Sequence, residues 1–150
     1  MSDMTGSCTE EIDAPVERVW AVVADVERSP EWQGGVKAIN PIDRDEEGRP
    51  TRVNAEADIK VRVIKTIVKF DYSAAPNQLA WTQEKGDIEA VDGTWTLEDL
   101  GGDRTRATYA LDVTFGGMLG ALVKGPVELA VRGMLISTQA DDLKRRVEEQ

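Results

Sequence analysis

Arg62, Tyr72 and Tyr109 are the residues of this chain whose types and positions point to chemistry. A phenol donates a hydrogen bond to a carbonyl or passes a proton, and a guanidinium stabilises a developing oxyanion. What is missing narrows the choice. The 150 residues include no histidine and one cysteine, Cys8. That removes Ser-His-Asp and Cys-His nucleophiles, the usual zinc sites and the commonest general base. The run Asp43-Arg44-Asp45-Glu46-Glu47-Gly48 lacks the alternate-ligand spacing of a calcium loop and reads as a solvated hairpin. No Walker loop or dinucleotide-binding glycine pattern is present. The sequence therefore predicts no metal and no cofactor, and it assigns no catalytic residue. Cys8, with no histidine to activate it, reads as a buried, inert thiol.

Composition narrows the partners. The net charge is -10, from 28 acidic and 18 basic residues. Such a surface repels phosphate backbones and anionic headgroups, so nucleic acid and membrane surfaces are poor partners. The run Lys60, Arg62, Lys65, Lys69 reads as strand charges facing solvent. A lone cysteine fits a reducing cytoplasm. No secretion signal is visible at the start, and no apolar run approaches the length of a bilayer span. At this length one core can form without disulfides. No repeat or linker interrupts the chain, which reads as one domain over 1–150.

The elements that must position these residues follow from turn signals and alternation. Residues 6–12 read as a first strand. Pro15 begins a short helix with Glu17 in its first turn and an apolar face of Val16, Val19, Trp20 and Val23. Ser29-Pro30-Glu31 carries the signature of cap, proline and acid for a second, very short helix bearing Trp32. Strands are expected at about 36–43, 51–59, 61–74, 78–85, 88–100 and 103–115, joined by hairpins. Pro126 to about Glu148 reads as one long helix with an inward stripe of Leu129, Gly133, Ile136, Ala140, Leu143 and Val147. Its first half adds Val127, Val131, Met134 and Leu135, so it is apolar nearly all round and must be surrounded there. The fold class is α+β: a curved, antiparallel, seven-stranded sheet around a C-terminal helix.

Alternation selects the candidate ligand-binding residues. Arg62, Thr66, Phe70 and Tyr72 share a face with Ile64 and Val68, and Tyr109 lies on the apolar side of the last strand. Trp81 and Trp95 sit on neighbouring strands, where aromatic faces suit a flat apolar ligand and equally suit a core. Trp32 borders the mouth, and Met134 lies on the apolar half of the helix. The glycine-rich apolar segment 115–125 reads as a wall or gate of a cavity, or as a dimer contact.

The stretch Ile12-Asp13-Ala14-Pro15-Val16-Glu17-Arg18-Val19-Trp20 resembles the opening of the START-like, or SRPBCC, superfamily. Asp25-Val26-Glu27-Arg28-Ser29-Pro30-Glu31-Trp32 looks like its second helix. Leu79-Ala80-Trp81 and Gly93-Thr94-Trp95-Thr96-Leu97 resemble its fifth and sixth strands. Within the superfamily the chain looks most like the bacterial polyketide cyclase/dehydrase group. The resemblance implies a helix-grip fold with an internal cavity for a lipid or an aromatic polyketide-like molecule. It also implies a choice between a carrier or sensor and an aromatase/cyclase-like enzyme, while the apolar segment 115–125 adds a protein-interaction or regulatory module as a third reading. For the enzyme, Arg62, Tyr72 and Tyr109 would hold a folded chain of carbonyls.

Overall fold

Alternating apolar and polar residues dictate the sheet. The computed structural model describes residues 3–149. Seven strands form one antiparallel sheet: β1 (Met4–Ile12), β2 (Val36–Arg44), β3 (Pro50–Asp58), β4 (Val63–Asp71), β5 (Gln78–Gly86), β6 (Ala90–Gly101) and β7 (Arg104–Thr114). Their spatial order is β1-β7-β6-β5-β4-β3-β2. Six consecutive strands thus run as a meander, and β1 returns to lie beside the last. Thr105, Ala107, Tyr109, Leu111 and Val113 of β7 are all buried, as alternation requires of a sheet covered on one side.

Residues directly opposite in an antiparallel pair share a face, so the register assembles two inward rows. One runs Phe70, Trp81, Gly93, Leu111, Gly6. The next runs Leu79, Trp95, Tyr109, Cys8. Gly93 is required in the first row. A Cβ there would lie 2.3 Å from two carbons of the Trp81 indole, whose ring rests against the bare backbone.

Helix α1 (Val16–Val23) follows with Pro15 in its cap position, and it buries Val16, Val19, Val22 and Val23. Trp20 is only partly buried against the core. The second short helix is a 3₁₀ turn, Val26–Glu31, that starts earlier than the cap signature suggests. Ser29 is interior to it: the hydroxyl donates to the Val26 carbonyl at 2.8 Å, and Trp32 occupies the C-terminal cap. Asp25 takes the N-cap position instead.

The long C-terminal helix is broken. α2 (Gly117–Leu122) precedes α3 (Pro126–Arg132), and a π-helical stretch, Gly133–Ser137, separates α3 from α4 (Gln139–Glu148). Thr138 marks the wide turn: its backbone N–H and its hydroxyl both donate to the Gly133 carbonyl, at 3.3 and 3.1 Å. One extra residue in a helix of 3.6 residues per turn rotates everything before it by about 100°. The predicted stripe therefore holds for Ile136, Ala140, Leu143 and Val147, which are buried, and fails for Leu129, which is 75% exposed. Val131 takes the inward place at 0%. Side chains from elsewhere meet the loosened backbone. The Cys8 thiol donates to the Ile136 carbonyl at 3.0 Å and accepts from the Ala140 N–H at 3.3 Å. Burial pushes this thiol above its ordinary range, which keeps it protonated.

Candidate functional site

A cavity of about 150 Å³ lies between the inner face of the sheet and the π stretch. Its floor is Phe70, Trp81, Trp95, Tyr109, Leu79 and Leu111 from the two rows. Val26, Ser29 and Gln33 of the 3₁₀ region and Leu135 of the π stretch cover it, while Val36, Ile39, Ala55 and Ala57 form the lip. A wider groove of about 510 Å³ crosses the outer face of the sheet among Lys69, Asp71, Thr82, Asp92 and Asp112. It is open to water, and its Asp92 and Asp112 already accept hydrogen bonds from the hydroxyls of Thr82 and Thr5. The covered apolar cavity is the better candidate site.

The aromatic rings form a continuous ladder. Phe70 and Trp81 lie 6.2 Å apart between ring centres, Trp81 and Tyr109 5.5 Å, and Tyr109 and Trp95 4.7 Å in an edge-on contact. These are favourable offset and edge geometries. Trp32 continues the ladder 6.3 Å beyond Trp95.

Four of the eight predicted residues, Phe70, Trp81, Trp95 and Tyr109, thus meet in one wall. Trp32 stands behind Trp95 rather than in the lining. Met134 misses the cavity because it packs against Gly35, where a Cβ would meet its Cγ at 3.0 Å; Leu135, its neighbour, points in. Tyr72 is buried beyond the end of β4, with its hydroxyl donating to the Pro50 carbonyl at 2.6 Å and Arg49 stacked 4.6 Å over its ring. Arg62 is a correction. The strand starts at Val63 rather than 61, and Arg62 belongs to the hairpin, where its carbonyl accepts from the Ile59 N–H at 3.1 Å. Its side chain is in water, 4.0 Å from Asp87. The sequence reading also missed Gln33, Val36 and Ile39, which no periodicity marks because the 3₁₀ turn and the register of β2 place them. No residue of 115–125 lines the cavity; Phe115, Leu119 and Val123 are buried while Met118 and Leu122 are exposed.

Two consequences are measurable. Replacing Arg62 by alanine is expected to leave stability within about 0.5 kcal/mol and cavity binding unchanged, because exposed pairs contribute little; a urea titration and a binding isotherm check both. Burial pushes the Tyr72 phenol up to about 12. Its neutral form is the one the fold favours, so its contribution is complete below about pH 10, the ordinary tyrosine value, and is lost as pH rises toward 12. Tyr72→Phe is expected to cost about 1 kcal/mol at neutral pH and to remove part of the stability loss above pH 10. Tyrosinate absorbance and denaturant midpoints measured across that range test the sign.

The lip is fastened to the C-terminal helix. Gln139 is 2% exposed, and its amide donates to the Gly34 carbonyl at 2.9 Å and to the Met134 carbonyl at 2.8 Å. The Gly34 N–H donates to Asp142 at 2.9 Å. Gly35 follows at φ +85°, a left-handed conformation that glycine adopts at low cost. The turn leading from the 3₁₀ helix into β2 is thus held by α4 through both backbone groups of Gly34. Among the described residues no helix is long and apolar enough to cross a membrane, and no cluster of potential metal ligands forms.

A seven-stranded antiparallel sheet gripping a bent C-terminal helix, with an apolar cavity between them, defines the START-like helix-grip class. Residues 12–138 match the family described as polyketide cyclase / dehydrase and lipid transport, and the chain belongs to that family. A START superfamily protein from Mycobacterium smegmatis shares 27% identity and a TM-score of 0.81, over 97% of each chain. The Zhui aromatase/cyclase from a Streptomyces species superposes with a TM-score of 0.72 at 17% identity, over 97% of this chain and 94% of its own. A protein from Thermus thermophilus gives a TM-score of 0.78 at 18% identity, covering 97% and 98% of the two chains. No curated protein sequence matches.

Proposed function

We propose that this protein binds a hydrophobic small molecule, lipid or aromatic polyketide-like, in the internal cavity and acts as a cytoplasmic carrier or sensor rather than as a catalyst. The observation that carries this reading is the lining itself. Aromatic and aliphatic side chains make up the floor, and among the described residues no cation lies in the lining. Its carboxylate, Glu56, sits on β3 between Ala55 and Ala57 and so alternates to the opposite face. Burying apolar ligand surface here is favourable at roughly 25 cal/mol per Å².

Cyclisation of a carbonyl chain needs several converging polar groups. Tyr72 is committed to Pro50 and Arg62 stands in water, which leaves Tyr109 as the sole phenol at the cavity. Pockets for drug-sized ligands run about 300–1,000 Å³, well above the 150 Å³ of this cavity. A ligand of that size enters only if the lip moves.

Native mass spectrometry of the purified protein, followed by release and identification of bound small molecules, tests the proposal. A stoichiometric apolar compound supports it. An empty protein that also fails to take up fatty acids or aromatic probes refutes it.

A further inference from the structure

The two tyrosines of the chain are both buried, yet they are treated differently. The Tyr72 hydroxyl is bonded to a backbone carbonyl. Tyr109 is 5% exposed and lines the cavity, and among the described residues no hydrogen bond reaches its hydroxyl. Trp95, 3% exposed on the same floor, likewise has an indole N–H without a partner among the described residues. Burying a polar group without a partner is unfavourable. Neither atom belongs to the sealed, unpartnered polar atoms of the fold, so the Tyr109 hydroxyl at the cavity stays open to an acceptor that enters it.

We infer that the cavity selects a neutral, planar, one-ring aromatic compound bearing a carbonyl acceptor, which the Tyr109 hydroxyl holds. Size sets the ring count: an apolar cavity of about 150 Å³ takes a molecule the size of benzene. Flatness follows from the Trp81, Tyr109 and Trp95 rings, whose faces and edges form the floor. Neutrality follows from a lining with no cation to pair a carboxylate and from the cost of burying an unpaired charge. The phenol is a donor, since burial holds it protonated above the ordinary tyrosine range. This inference rests on the binding reading and narrows it to one chemical class.

Three probes of matched size separate the possibilities by calorimetry: acetophenone, ethylbenzene and benzoate. The wild-type protein is expected to bind acetophenone about tenfold more tightly than ethylbenzene, the gain of one well-placed hydrogen bond to a buried donor. Benzoate is expected to bind weakest. In Tyr109→Phe the preference for acetophenone over ethylbenzene should fall to within about twofold. Equal affinities in the wild type, or a preference that survives Tyr109→Phe, overturns the inference and leaves the binding reading standing. Failure of all three probes, with a long-chain lipid recovered from the protein, also overturns the inference alone. Failure of all three with nothing recovered overturns both. The wild-type ranking is independent of whether the variant folds.

Discussion

Gly93→Ala is expected to destabilise the protein by about 2–3 kcal/mol, a large loss for a single methyl group. The added Cβ would stand 2.3 Å from Cε2 and Cζ2 of Trp81 and 2.5 Å from its Nε1, far inside van der Waals contact. β6 cannot retreat, since it is hydrogen-bonded to β5 on one side and β7 on the other. The indole has to move, and behind it stand Phe70 and Tyr109. Overpacking of a well-filled core costs about 1–3 kcal/mol, and a displaced indole also gives up its contacts. Trp81→Leu in the Gly93→Ala background is expected to recover part of the loss, giving a coupling energy above about 1 kcal/mol in a double-mutant cycle. Denaturant unfolding of the four proteins is the measurement. Additive effects, or a Gly93→Ala variant as stable as the wild type, would show that the ring does not depend on the bare backbone.

Gln139→Leu is the second large effect. Leucine keeps most of the volume but strips the Gly34 and Met134 carbonyls of their donor. Gly34 is exposed and Met134 half-buried, so water takes up part of the loss and each lost hydrogen bond costs about 0.5–1.5 kcal/mol. The glutamine also holds a buried oxygen with no partner, and its removal gives some of that back. A net loss of about 1–2 kcal/mol is expected. The location of the effect matters more than its size. Amide exchange should accelerate at 33–36, where the lip is pinned, and much less in β6 and β7. Asp142→Asn, which retains an acceptor for the Gly34 N–H, should change exchange there only slightly. Uniform acceleration across the sheet would mean that Gln139 supports the core as a whole and does not fasten the lip.

The strands and their inward faces were legible because a period of two survives in a sequence. Alternation pointed to Phe70 and Tyr109, and position on neighbouring strands pointed to Trp81 and Trp95. Gly93 was seen only as part of a strand motif: its importance comes from lying opposite Trp81, and register is a property of strand pairs. Arg62 was misplaced because its alternation with Ile64 looked unbroken, while the turn closed by Ile59 and Arg62 makes the strand begin one residue after it. The helix failed for a different reason. Its apolar stripe fits 3.6 residues per turn on both sides of Gly133, but the phase changes there. The change is stabilised by Cys8 and Gln139, partners that local propensity does not reveal. One turn of wrong phase exchanged Leu129 for Val131 and Met134 for Leu135.

The ladder of rings has an optical consequence. Trp32, Trp95, Tyr109 and Trp81 follow one another at 4.7–6.3 Å between centres, close enough for their excited states to couple. Energy absorbed by Tyr109 passes to the indoles beside it, and the tilted tryptophan pair contributes its own near-ultraviolet circular dichroism. A guest seated on this floor perturbs the whole array at once. The protein therefore carries an intrinsic reporter of its own occupancy, readable without a label.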